Sequence, residues 1–232
     1  MKTIGLLGGM SWESTQTYYR LMNEGVKARL GGLHSAKLVL YSVDFAEIEA
    51  LQHAGDWPAT ADILASAALS LQKAGADFLV IGTNTMHKVA PEIEQAIRIP
   101  LLHIADATAK VLARDGISRV GLLGTRFTME QAFYRDRLEQ AGIEVIVPEE
   151  AQRNEVHRVI YEELCQGEIN PASRQTYLDI TTSLSERGAQ AVILGCTEIG
   201  LLIRQADTPI PLYDTTKIHA AQAVEHALTG VQ

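Results

Sequence analysis

This chain has little of what would mark a specialised environment. It carries two cysteines, Cys165 and Cys196, too few for a disulfide framework, so a cytoplasmic protein with free thiols is expected. No apolar run approaches the length of a membrane span. Met1-Lys2-Thr3-Ile4 passes straight into a strand-like stretch, and no signal peptide is expected. Basic clusters are missing. The 20 Lys+Arg stand against 28 Asp+Glu, a formal charge of −8, which argues against nucleic acid and anionic membrane as partners. No His/Cys/Asp/Glu group has metal-ligand spacing, no lysine sits in a recognisable pyridoxal-phosphate site, and no serine lies in a G-x-S-x-G elbow. Neither a metal nor a cofactor is expected. Low-complexity segments and long linkers are lacking too.

What is present is a repeat. Gly75–Val89 (GADFLVIGTNTMHKV) and Gly188–Leu202 (GAQAVILGCTEIGLL) both open with Gly-Ala, continue as an apolar run and break into Gly plus small polar residues. At this offset of 113 positions Gly82 falls on Gly195, Thr83 on Cys196, Asn84 on Thr197 and Thr85 on Glu198. Ile4–Gly8 (IGLLG) matches Val120–Gly124 (VGLLG) at a nearly equal offset of 116. Two blocks in one order suggest an internal duplication, with two similar lobes and facing loops. The repeat is too long for a solenoid unit.

Strand-like runs fall at Thr3–Leu7, Lys37–Val43, Asp77–Ile81, Leu101–Ile104, Arg119–Leu123, Glu144–Val147, Ala191–Leu194 and Leu212–Asp214. Helical stretches lie between them, including about 13–30, 59–74, 129–141, 154–166, 171–187 and 215–228. The alternation predicts an α/β protein with parallel sheets, whose exit loops gather at the carboxyl edge where such sheets bind ligands. The Gly8-Gly9 turn before the first helix, capped by Ser11, is suited to meeting an anion with backbone N–H groups. It lacks the third glycine of a dinucleotide fingerprint and the Gly-Lys-Ser/Thr of a P-loop.

Cys196 stands at a strand end before a helix, where a thiolate is favoured. Glu198 reads as a group that binds a substrate amine, orients a catalytic side chain or caps the helix. His87 reads as an acid, a ligand or a structural histidine, and Cys165 as packing.

The loops GGMS (Gly8–Ser11), NTMH (Asn84–His87) and GCTE (Gly195–Glu198) resemble those of the aspartate/glutamate racemase superfamily. The resemblance spans nearly the whole chain. GGM and Glu198 point to the aspartate-racemase side, and Gly-Met-Ser-Trp with Thr-Asn-Thr to a YgeA-like branch. The resemblance implies a cofactor-independent enzyme of two pseudo-symmetric Rossmann-like lobes with the site between them, often a homodimer. It implies lobes of residues 1–98 plus 209–232 and of 99–208. In the family two cysteines work on opposite faces of the substrate Cα. Here the first is replaced by Thr83, so the implied catalytic pair is Thr83 and Cys196, with Cys196 serving the L-face and the L-enantiomer favoured.

The expected function is an amino-acid racemase for aspartate- or glutamate-type small-molecule substrates. Met10, Gln52, Asn84, Thr85, Thr125, Thr128, Thr197 and Glu198 are the expected substrate-binding wall. Arg126 is the nearest candidate for an acidic side chain. A decarboxylase of the same superfamily that uses only the second-lobe cysteine, and a non-catalytic amino-acid binder, remain as alternatives.

Overall fold

Short apolar runs form the strands of the protein, whose computed structural model describes residues 1–230. Strands β1 (Ile4–Gly8), β2 (Leu38–Ser42), β3 (Phe78–Ile81) and β4 (Leu101–Leu102) make one sheet in the order β2-β1-β3-β4. Strands β5 (Arg119–Gly124), β6 (Glu144–Ile146), β7 (Ala191–Gly195) and β8 (Leu212–Asp214) make a second in the order β6-β5-β7-β8. Every pairing is parallel. The second order is the first counted from β5. The IGLLG and VGLLG blocks are thus β1 and β5, and the runs after Gly75 and Gly188 contain β3 and β7.

The first unit is Met1–Ile104 with the stretch from His219, and the second is Ala105–Ile218. In the first, helices α1 (Trp12–Leu30), α2 (Phe45–Ala54), α3 (Trp57–Lys73) and α4 (Ala90–Ala96) flank the sheet. The central strands are buried on both sides, as parallel sheets require. Ile4, Leu6, Phe78 and Val80 pack with Tyr18, Met22 and Val26 of α1 and with Ala220 and Val224 of the C-terminal helix. Leu7, Leu79 and Ile81 pack the opposite way, with Ile48, Leu64, Leu71 and Ile93. In the second unit α5 (Ile104–Arg114), α6 (Arg126–Glu130), α7 (Ala132–Gln140), α8 (Glu150–Glu162), α9 (Pro171–Glu186) and α10 (Ile199–Leu202) accompany the sheet, and α11 (Thr215–Leu228) begins there and returns from His219 to the first. Helices α6, α8 and α9 pack against β5.

The unit boundaries differ from those expected at 98/99 and 208/209. β4 pairs with β3 through Leu79↔Leu101 and Val80↔Leu102, which keeps residues 99–104 in the first unit. β8 pairs with β7 through Val192↔Leu212, which puts Pro209–Ile218 in the second. Val231 and Gln232, the end of the expected 209–232 segment, lie outside the described residues. The helix expected over 129–141 is two helices, broken at an extended Gln131. Asp44–Gly55 holds a helix of its own, capped by the Asp44 carboxylate on the Ala46 N–H and closed by Gly55 in the left-handed conformation. Among the described residues no helix is long and apolar enough to cross a membrane.

Candidate active site

In the first unit the exits of β1 and β3 lie side by side, because these strands pair directly. Gly9 has φ +94°, and a Cβ there would lie 2.3 Å from the Val43 carbonyl oxygen, so only glycine makes this turn. Its N–H donates to Thr15 Oγ1 at 2.7 Å, and Ser11 Oγ accepts from the Ser14 N–H at 3.3 Å. The expected anion cradle is therefore corrected at Gly9, whose N–H is taken by its own helix. Ser14 Oγ donates to the Gly82 carbonyl at 2.9 Å and ties α1 to the loop that carries Thr83. Thr83 is half-buried, whereas Asn84, Thr85 and His87 are buried. Met10 packs in the core beside Leu7. Gln52, on α2, is only 2% exposed, a buried amide rather than a solvated helix residue.

In the second unit the exits of β5 and β7 are adjacent, with Gly124 paired to Gly195. A Cβ on Gly195 would lie 2.8 Å from the Leu123 carbonyl oxygen and 3.4 Å from the Thr128 methyl, so the loop before Cys196 sits flush on β5. Thr125 caps α6 by accepting from the Thr128 N–H at 3.3 Å, and both threonines are buried. Arg126 is exposed, and its guanidinium donates to Asn154 Oδ1 at 2.8 Å.

Cys196 is half-buried, and its Sγ donates to Glu198 Oε2 at 3.0 Å. Thr197 Oγ1 donates to the same oxygen at 2.6 Å. Glu198 is buried and makes no capping bond to α10, so its carboxylate serves the cysteine loop and not the helix. Burial first, then the negative charge of Glu198, pushes the Cys196 thiol well above the ordinary thiol range. The thiolate expected from the helix N-terminus is corrected to a neutral thiol. α10 has four residues, and so short a helix has too small a dipole to offset a buried carboxylate.

Sequence reasoning missed the lining behind Cys196. Tyr177 is fully buried, its hydroxyl donates to the Val156 carbonyl at 2.8 Å, and burial chiefly raises its pKa well above the usual phenol value. Cys165 lies on the 3-10 turn Leu164–Gln166, which packs against α10, next to the cysteine loop. No spacing signal links these residues to Cys196; only the tertiary packing does. Each sheet's carboxyl edge thus gathers its own share of the expected wall: Met10 and Thr83-Asn84-Thr85 on one, Thr125, Thr128 and Cys196-Thr197-Glu198 on the other. Among the described residues no three His, Cys, Asp or Glu side chains group to hold a metal.

The chain is similar to proteins of a known family. Residues 7–223 match the Asp/Glu/Hydantoin racemase family. The chain is 28% identical over 159 residues to the broad specificity amino-acid racemase RacX of Bacillus subtilis (strain 168), covering 68% of this chain and 67% of that protein. It is similar to the crystal structure of a candidate Asp/Glu racemase from Yersinia pestis, with 58% identity, TM-score 0.92, and coverage of 98% of this chain and 100% of that one. It is also similar to an aspartate racemase homologue from Pyrococcus horikoshii OT3, with 34% identity, TM-score 0.85, and coverage of 98% and 99%.

Proposed function

Because the chain belongs to the Asp/Glu/Hydantoin racemase family, we propose that it is a cofactor-independent amino-acid racemase for aspartate- and glutamate-type substrates, with Cys196 and Thr83 as its unequal acid/base pair. One observation carries this reading. Two half-buried side chains with a transferable proton stand at equivalent places, each directly after the glycine at the carboxyl exit of the third strand of its repeat. The placement of this chain in the YgeA-like branch, as a cytoplasmic homodimer, belongs to the same proposal.

The chemistry follows from the neutral thiol. A substrate α-ammonium brings positive charge to a loop where the Glu198 carboxylate opposes thiolate formation, and so favours the thiolate. Glu198 Oε2 already holds the Sγ hydrogen and is the acceptor for it. The thiolate then removes the Cα hydrogen of the L-enantiomer, and the electron pair moves into the carboxylate as an enediolate. The Thr83 hydroxyl delivers a proton to the opposite face, and the proton taken up by Glu198 returns through water to the Thr83 oxygen, which restores both groups. Met10, Gln52, Asn84, Thr85, Thr125, Thr128 and Thr197 contact the substrate in this reading. A hydroxyl is a far weaker base than a thiolate, whose parent thiol has a pKa of about 8.5. Exchange at the L-face therefore outruns inversion. Enantiomers are equally stable in water, so kcat/KM stays equal in the two directions.

Proton NMR of L- and D-aspartate and glutamate in D2O tests this directly. Wild type should wash out the L-amino acid's α-hydrogen and, more slowly, invert it, while Cys196→Ser should do neither. The likeness to a broad-specificity racemase makes neutral amino acids the next substrates to try. Release of CO2 from a malonate without α-hydrogen exchange would identify a decarboxylase instead. Binding of amino acids with neither reaction would identify a sensor.

A further inference from the structure

A buried cluster of imidazoles lies under the Thr83 loop, outside the acid/base pair. His87, His103 and His219 are 1%, 4% and 0% exposed. The His87 ring centroid stands 4.5 Å from that of His103 and 5.7 Å from that of His219. The backbone fixes which nitrogens carry hydrogen. His219 Nε2 lies 2.8 Å from the Leu102 carbonyl, which can only accept, so its Nδ1 receives the Tyr18 hydroxyl at 2.9 Å. His87 Nδ1 lies 2.8 Å from the Thr83 carbonyl and must carry its hydrogen there, while His87 Nε2 accepts the Ile104 N–H at 3.3 Å. A second proton on His87 would face the Ile104 N–H. Both ring nitrogens are engaged by backbone, so this histidine is neither a metal ligand nor a proton carrier.

What it does hold is the peptide of Thr83. We propose that His87 is a positioning residue: its neutral imidazole, donating from Nδ1 to the Thr83 carbonyl and anchored at Nε2 to Ile104, fixes the backbone from which the Thr83 hydroxyl is aimed at Cα. The inference rests on the reading of Thr83 as the second acid/base group. It makes one ring responsible for inversion and not for L-face exchange, since Cys196 and Glu198 belong to the other unit.

The experiment compares His87→Asn and His87→Gln. The asparagine amide can place a donor where Nδ1 stands, and the longer glutamine places its polar atoms where Nε2 stands. α-Hydrogen exchange from L-aspartate and L-glutamate is read by NMR in D2O, and inversion by chiral chromatography. Misplacing a reacting group commonly costs about tenfold or more in rate. His87→Gln should therefore raise the ratio of exchange to inversion by about tenfold or more, through kcat with KM little changed, and His87→Asn should restore the wild-type ratio. Equal loss of exchange and inversion in both variants, or no change in either, overturns the positioning role. If a variant does not fold, long-range 15N–1H NMR of the wild-type ring decides: a hydrogen on Nδ1 of a neutral imidazole supports the proposal, and one on Nε2 or a charged ring overturns it. A wild type with no α-hydrogen exchange overturns the racemase reading itself, and this inference with it. Normal exchange with an unmoved ratio overturns only the role of His87.

Discussion

The Cys196 thiol donates to Glu198 Oε2 across 3.0 Å, so the proposed base is held as an acid by the group that must accept its proton. Glu198→Gln separates the two effects of that carboxylate. Removing its charge should move the pH midpoint of iodoacetamide alkylation downward, yet leave it above the ordinary thiol range, because burial is the larger cause of the shift. Losing the proton acceptor should slow L-face exchange by about 10²-fold. A midpoint that rises, or exchange that keeps its wild-type rate, would contradict this arrangement.

Thr83→Cys should make the pair symmetric. A second thiol has a pKa near the useful range, and positioned acids and bases contribute about 10²–10⁴-fold. Inversion should rise toward the lower end of that span in both directions, with D-substrate exchange appearing. Fully active Thr83→Ala, together with an unchanged Thr83→Cys, would remove Thr83 from the mechanism.

His219 predicts an acid limit to stability. Burial lowers its pKa from the ordinary histidine value to about 4. The native state binds the proton less readily than the unfolded chain, so this contribution is complete above the unfolded value of 6.5 and is lost as pH falls toward about 4. At 1.36 kcal/mol per unit the total is about 3 kcal/mol. Tm measured from pH 7 to 4 should fall, and His219→Asn should flatten that slope. Equal slopes would show that other groups set the acid limit.

Gly195→Ala tests the seat of the cysteine loop. The new methyl would stand 2.8 Å from a backbone carbonyl and 3.0 Å from Leu122 Cδ1. Overpacking of this kind costs about 1–3 kcal/mol, and the displaced loop should lose exchange activity as well. Calorimetry and the D2O assay read the two losses separately. A variant with wild-type Tm and rate would mean that the loop shifts freely.

All eight strands were legible from apolar runs, since buried parallel strands need little else. The missed features arise where a local signal competes with packing. Ile104 looks like the end of β4 but starts α5, and Gln131 breaks a pattern that reads as one helix. At the site, the repeat alone aligns Thr83 with Cys196. The protonation of the thiol, the burial of Gln52 and the lining by Tyr177 and Cys165 were not legible. Each depends on desolvation or on segments brought together from distant parts of the chain.

The second unit is one continuous stretch, but the first is closed by the chain that returns at His219. During synthesis the α1 side of the first sheet therefore waits, its apolar face uncovered, until Ala220, Ala223, Val224 and Ala227 leave the ribosome. The later-made half can fold first, and a chain truncated before the last helix would expose the surface that Ile4, Leu6 and Val80 normally bury. A nascent protein of this design needs protection of its first sheet until α11 has been made.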